Sequence, residues 1–146
     1  DSTEALLIQT TDHIGVDFRN NIFVIPSTST SARVLKIEKA GAEEQVAFDR
    51  NLLFFSDPRF DGTQPIVSVA GVNYTTVEWN SLANGSLRNA YGSPLFDASS
   101  QFGLGLLQGS PAINSGETLE RVYEDLSTPP VRRLREAYDI GAIEKP

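Results

Sequence analysis

The chain has 146 residues, no cysteine, and a formal net charge of 12 − 19 = −7. Its length fits one domain with an apolar core, and the missing cysteines exclude disulfides and thiolate metal ligands. The negative charge argues against a nucleic-acid partner, because phosphate backbones are bound by clustered Lys and Arg side chains, and no apolar run approaches the roughly 18 residues of a membrane span.

Short apolar segments between polar turns predict a series of strands in the first half of the chain. These segments are 5–9, 14–25, 34–37, 46–55 and 66–69. The second of them is broken at 19–21 and ended by Pro26, since proline cannot donate the next main-chain hydrogen bond.

Two of these segments match each other thirty residues apart. Residues 16–23 fall on 46–53, with valine on valine, phenylalanine on phenylalanine and asparagine on asparagine (46 − 16 = 30). The segment 66–69 likewise matches 34–37 at an offset of 32. Two strand types that recur at nearly the same period predict stacked coils, in which each coil contacts only its neighbours.

Stacking places like residues on like residues in adjacent coils, whose strands lie roughly 4.8 Å apart. We therefore assign Asn21 and Asn51 to a ladder of side-chain hydrogen bonds. Phe18 and Phe48 are expected to stack in the core. A buried, paired amide at Asn51 predicts a loss of about 1–3 kcal/mol in Asn51→Ala.

The second half of the chain opens with a predicted helix. Thr75 followed by Glu78 fits a capping box, and Gly85 supplies a stop. Trp79 and Leu82 lie on one face of this helix, which is expected to pack on the coils. A Gly-Ser-Pro element then occurs twice, at 92–96 and 109–113, and the segment 138–144 is a predicted last strand.

Four features resemble the C-terminal end of bacterial right-handed parallel β-helix proteins of the pectate-lyase-like superfamily. They are the Asn-containing turns at 20–23 and 51–54, the tryptophan-bearing helix before Asn84-Gly85, the Gly-Ser-Pro-Ala-Ile element at 109–116, and the Asp-Ile-Gly-Ala-Ile-Glu ending at 139–144. The same set marks the choice-of-anchor region of secreted, surface-sorted bacterial proteins. The chain differs from the family's common pattern at Asn114, where aspartate is usual, and at Ile143, where tyrosine is usual.

The resemblance implies an all-β fold: a right-handed parallel β-helix of about three to four coils, with a short capping helix and a C-terminal cap. Residues 1–146 would form a single domain, with coils in 1–72 and the final coils and cap in 73–146. Trp79 and Asp139 are the residues expected in the cap.

No catalytic, cofactor-binding or metal-binding residue is predicted. His13 is the one histidine and no G-x-S-x-G motif occurs, which argues against a Ser-His-Asp triad. Asp57 and Asp61 lack the calcium-loop pattern and fit turns. The adjacent carboxylates at 43–44 and 124–125 point apart, unlike a glycosidase pair, and Lys36 is predicted to point outward.

The expected function is that of a non-catalytic C-terminal β-helix module of a secreted or cell-surface bacterial protein, associated with extracellular polysaccharide. Two alternatives stay open. One is the C-terminal part of a polysaccharide lyase or glycosidase with catalytic residues upstream, and the other is a structural shaft or assembly subunit. The expected partners are upstream coils or another chain at the N-terminal edge, and polysaccharide.

Overall fold

The computed structural model describes residues 4–9, 15–26, 28–82, 87–100, 103–117 and 139–141. Within these ranges the chain forms short strands and one α-helix. The strands are β1 Glu4–Ile8, β2 Val16–Arg19, β3 Ile22–Ile25, β4 Arg33–Ile37, β5 Val46–Asp49, β6 Leu52–Phe55, β7 Val67–Val69, β8 Val72–Tyr74, β9 Ala90–Tyr91, β10 Phe96–Asp97 and β11 Gly105–Leu106. The helix α1 spans Thr76–Leu82, and a 3₁₀ turn spans Ala42–Gln45.

Most of the strand pairs are parallel. The pairs β1–β4 and β4–β7 are parallel, and the antiparallel strand β8 completes their sheet. The pair β2–β5 forms a second parallel sheet, and β3–β6–β9 form a third. A small antiparallel pair joins β10 to β11. The described chain is therefore β-rich with a single short helix, as the sequence predicted.

The strand register carries the spacing seen in the sequence. The first residue of β2 pairs with that of β5 (46 − 16 = 30), and β3 pairs with β6 at the same offset. The pair β4–β7 has an offset of 32 (67 − 35 = 32). In the first sheet, β1 and β4 are 29 residues apart (33 − 4 = 29). The matched residues of the sequence are thus neighbours in adjacent strands.

A two-residue bend separates β2 from β3 and β5 from β6. Asn20 and Arg50 stand at these bends with φ of 57° and 49°, in the left-handed region that asparagine tolerates and arginine rarely adopts. The Asn20 N–H donates to the Arg50 carbonyl at 3.1 Å. Main-chain hydrogen bonding therefore continues through the bend, which turns each chain segment from one sheet into the next.

Side chains from the three parallel sheets meet in the main core. This core contains Phe48 of β5, Leu35 of β4 and Leu53 of β6, all fully buried. A second cluster forms around Leu52, which points to the other face of β6 because successive strand residues alternate. The chain around β11 and Ile140 covers that outer face.

The C-terminal strand predicted at 138–144 falls mainly outside the described residues. Within Asp139–Gly141, the part that is described, the chain is irregular rather than a strand. The break predicted at 19–21 within the segment 14–25 is confirmed, because the bend at Asn20 separates two strands, β2 and β3.

Candidate functional site

The structure brings the predicted ladder asparagines together. Asn21 Nδ2 donates to Asn51 Oδ1 at 3.2 Å, and the Asn21 main-chain N–H donates to the same oxygen at 3.1 Å. Asn51 is fully buried, whereas Asn21 is exposed. Asn51 Nδ2 donates to the Phe18 carbonyl at 2.9 Å, so one buried amide links the β5–β6 segment to the β2–β3 segment.

The ladder continues to a third asparagine, Asn89, which sequence reasoning missed. Asn51 donates to Asn89 Oδ1 from Nδ2 at 3.0 Å and from its main-chain N–H at 3.1 Å. Asn89 directly precedes β9, as Asn51 precedes β6. The offset between these strands is 38 (90 − 52 = 38), eight more than 30, and the extra chain is about the length of the seven-residue helix α1. When the seven helical residues are subtracted from this offset, the spacing returns to about thirty. The capping box that marks the helix was therefore the signal that could have located the third repeat.

Helix α1 ends the ladder with a fourth amide. Asn89 donates to Asn80 Oδ1 from Nδ2 at 3.0 Å and from its main-chain N–H at 3.2 Å, and Asn80 Nδ2 donates back to the Asn89 carbonyl at 2.8 Å. Asn89, the last asparagine of the ladder in the described part of the chain, is therefore hydrogen-bonded to the helix.

The predicted capping box holds the start of that helix. Glu78 accepts a hydrogen bond from the Thr75 main-chain N–H at 2.8 Å, and the Thr75 hydroxyl accepts one from the Glu78 N–H at 3.2 Å. These bonds lower the pKa of Glu78, chiefly through the Thr75 main-chain N–H, because they favour the charged carboxylate.

Trp79 lies in the core and Leu82 does not. The indole of Trp79 is 3 % exposed, packs against Tyr74 at 6.2 Å between ring centroids, and donates from Nε1 to the Phe48 carbonyl at 3.5 Å. Leu82 is 52 % exposed. The prediction that both residues pack on the coils is wrong for Leu82, because the short helix contacts the main core through Trp79 and ends at Leu82.

The two predicted core phenylalanines are in contact. The rings of Phe18 and Phe48 are 6.4 Å apart in an edge arrangement, and Phe23 lies 5.7 Å from Phe48. Phe48 is fully buried, whereas Phe18 is partly exposed. The Phe18 and Phe48 rings belong to the paired strands β2 and β5 and do not stack face to face. Their edge arrangement is the one that aromatic quadrupoles favour.

Asp139 is buried at a different place from Trp79. Its Oδ1 accepts the Asn114 N–H at 2.7 Å. The next residue, Ile140, packs on the outer face of the β3–β6–β9 sheet, and the Gly141 N–H donates to the Asn20 carbonyl at 3.0 Å. The segment 139–141 therefore lies beside the bend before β3, whereas Trp79 packs against Tyr74 in the main core.

An open pocket of about 390 Å³ lies beside β3. One wall is the strand and its bend, and includes the outward Ile22 and the inward Phe23. Ile22 packs with Leu106 and Ile140 in the outer cluster, so the pocket borders that cluster.

The other wall is apolar and comes from a different part of the chain. It consists of Phe96, Leu104 and Leu106 around the β10–β11 pair, with Ile140 and Gly141 at one end. Leu104 is 43 % exposed. We call this site the β3 groove: the start of β3 and its bend on one side and apolar side chains on the other.

The predicted turn aspartates have local partners. Arg59 Nη2 lies 2.7 Å from Asp57 Oδ2, and this hydrogen-bonded pair lowers the pKa of Asp57 to about 2. Asp61 Oδ1 accepts the Thr63 hydroxyl at 2.7 Å and the Thr63 N–H at 3.0 Å, which lowers the pKa of Asp61. Each carboxylate is thus used within its own turn.

The remaining candidates for chemistry do not converge. Lys36 Nζ is 3.5 Å from Glu4 and from Glu38, on a partly exposed face. His13, Glu124 and Asp125 lie outside the described residues, as does Gly85. Among the residues that the structure describes, no group of three His, Cys, Asp or Glu side chains is placed to hold a metal ion.

Comparison with protein-family models, curated proteins and solved structures yields no match to the chain. In the described part of the chain no helix has the length and apolar character needed to cross a membrane.

Proposed function

We propose that the chain is a non-catalytic structural module: the last coils of a right-handed parallel β-helix in a secreted or cell-surface bacterial protein. In this role the module supplies a stiff, internally bonded end to stacked coils. Association with extracellular polysaccharide is part of the proposal and rests on the family resemblance of the sequence.

The asparagine ladder is the observation that carries the proposal. Asn21, Asn51 and Asn89 precede successive strands of one sheet and pass hydrogen bonds in one direction. The parallel strand pairs have sequence offsets of 29 to 32 residues. Stacked coils of nearly constant length would have this regular spacing. Right-handedness is supported by the general rule that about 98 % of connections between parallel strands of one sheet turn that way.

The partners of the polar groups support the non-catalytic part. Asp57, Asp61 and Lys36 each bond within a turn or across neighbouring strands. Acid–base catalysis would require two such groups to face one substrate-sized space. The β3 groove instead presents amides and apolar side chains.

The test is affinity electrophoresis of the chain in gels that contain neutral or acidic extracellular polysaccharides, with a polysaccharide-free gel as control. Retarded migration with unchanged polymer length is the expected result. New ultraviolet absorbance from unsaturated uronic products, or new reducing ends, would show that the chain is an enzyme and not a non-catalytic module. Unretarded migration in every gel would remove polysaccharide association and leave a purely structural unit.

A further inference from the structure

We propose that the bend at Arg50 binds an oxyanion, the carboxylate or sulfate group of an acidic polysaccharide. This inference rests on the polysaccharide association proposed above and names the chemical class of the polymer. It starts from one side chain, because Arg50 directly follows β5 at the bend that leads into β6.

Arg50 adopts a main-chain conformation that an arginine rarely takes. Its φ is 49°, in the left-handed region where Cβ lies too close to the following carbonyl oxygen. The equivalent bend between β2 and β3, thirty positions earlier (50 − 20 = 30), has Asn20, a residue that tolerates this region better. Among the described non-glycine residues with positive φ, only Arg50 carries a charge. A strained backbone at a charged residue is a reason to look for a role of the side chain.

The guanidinium of Arg50 makes no hydrogen bond within the described part of the chain. Its Nε is buried without a hydrogen-bond partner, and Asp49 Oδ2 lies 3.9 Å from that nitrogen. The other oxygen of Asp49 accepts the Arg88 main-chain N–H. Since the Arg50 side chain is 36 % exposed, a ligand can reach it. An oxyanion would offset the cost of the unpaired donor, because a guanidinium donates to two oxygens at once.

The charges around the bend favour an anion at Arg50. Arg19, on the paired strand β2, is held by Asp17 at 2.9 Å and by Glu117 at 2.7 Å. In the part of the chain that the structure describes, Arg50 has only the more distant Asp49 as an ionic partner. The net charge of −7 opposes general attraction of a polyanion. Binding of an acidic polymer would therefore depend on a local site of this kind.

Arg88 supplies a second position for a polymer. It directly precedes Asn89, as Arg50 precedes Asn51, and the strands that follow, β6 and β9, are paired in parallel. Neighbouring strands lie roughly 4.8 Å apart, so the two arginines succeed each other along the stack of strands. A polysaccharide with an acidic group on successive units presents oxyanions in such a row. A nucleic acid also does so, but its binding needs more clustered Lys and Arg than this bend has.

The test uses three polymers that share one backbone: neutral dextran, carboxymethyl dextran and dextran sulfate. Each is immobilised for biolayer interferometry, and the full 146-residue chain is the analyte. We expect binding to at least one acidic polymer and none to dextran. Raising the salt from about 0.05 M to about 0.5 M should weaken this binding, because screening shortens the range of charge interactions. The acidic polymer that binds more tightly tells whether a carboxylate or a sulfate is recognised.

The decisive variant is Arg50→Asn, which places at this bend the residue type found at the bend before β3. Because asparagine tolerates the left-handed conformation, the variant should fold at least as stably as the parent chain. Its affinity for the acidic polymers should fall at least tenfold, since the guanidinium is lost. Arg88→Gln should weaken binding of the same polymers. The matched control is Arg59→Gln, which removes an equal charge from an exposed turn and should leave binding unchanged.

Four results would overturn the inference. The first two are equal binding by Arg50→Asn and the parent chain, and an equal loss in Arg59→Gln, which would assign the effect to net charge. The third is equal binding to neutral dextran, which would leave polysaccharide association in place without acidic specificity. The fourth is no binding to any of the three polymers. The structural module is judged separately by the stability of Asn51→Ala. If Arg50→Asn fails to fold, Arg88→Gln against Arg59→Gln decides.

Discussion

Replacing Asn51 by alanine removes the amide at the centre of the ladder. Four side-chain hydrogen bonds are lost: two accepted from Asn21, one donated to the Phe18 carbonyl and one donated to Asn89 Oδ1. Asn89 Oδ1 keeps the bond from the main-chain N–H of residue 51. The Phe18 carbonyl and the Asn21 main-chain N–H are then left without the hydrogen bonds that the Asn51 side chain makes to them.

The magnitude follows from those two groups. A buried group left without its partner costs about 1–3 kcal/mol, and the lower half of the range applies here because both groups are only partly buried. A small cavity at a fully buried position adds about 1 kcal/mol. Two such groups at about 1–2 kcal/mol each, together with the cavity, lead us to expect that Asn51→Ala lowers the free energy of unfolding by about 3–5 kcal/mol.

Urea unfolding followed by circular dichroism measures this loss, and Asn21→Ala is the matched control. Asn21 is exposed at the end of the ladder, and its main-chain N–H still bonds to Asn51 Oδ1 after truncation. The control should lose less than about 1 kcal/mol. Equal effects of the two substitutions, or a change below about 0.5 kcal/mol in Asn51→Ala, would refute the reasoning, because the ladder would then carry no buried hydrogen bonds.

The remaining predictions concern a turn and a close contact. The pKa of Asp57 is about 2 because of Arg59. The carboxylate's contribution to stability is thus present above its ordinary pKa and is lost as pH falls through about 2. Arg59→Leu should return this pKa toward 3.8 in an NMR titration, and an unchanged value would exclude the pair. Gly62→Ala should lose about 2–4 kcal/mol in thermal unfolding, because its φ is 93° and an added Cβ would lie 2.7 Å from the Tyr91 ring. Gly71→Ala, with a φ of 84° and open space, should lose only about 1–2 kcal/mol; similar losses would mean that the ring moves freely.

The sequence was most informative where identical residues recur at a constant spacing. Val16 and Val46, thirty positions apart, are paired residues of β2 and β5. A parallel register places like residues side by side, so a repeat in the sequence translates directly into strand pairing. The capping box at Thr75 was readable for a similar reason, because its two hydrogen bonds join residues three positions apart.

The sequence was least informative where an insertion shifts the repeat or where distant segments meet. Asn89 could not be recognised from the thirty-residue spacing, because α1 lies between β6 and β9 and lengthens the interval to 38 residues. The β3 groove joins Phe23 to Phe96 and Leu104, and no local pattern relates these positions. The same holds for Asp139 and Asn114, whose hydrogen bond depends on how the chain packs against the outside of a sheet. Contacts of this kind depend on how distant segments fit together in three dimensions. They leave no regular spacing in the sequence.

The central claim, parallel coils in a register of thirty residues, is tested most directly by cysteine cross-linking, since the chain has no cysteine of its own. Asp17 and Ala47 are directly paired, whereas Arg19 pairs with Asp49 and is two positions out of register with Ala47. A separation of two residues along the strand adds roughly 6.6 Å, which places the Cα atoms beyond disulfide range. The account predicts that Asp17→Cys/Ala47→Cys forms an intramolecular disulfide in the folded monomer and that Arg19→Cys/Ala47→Cys does not; preferential cross-linking of the second pair would contradict it.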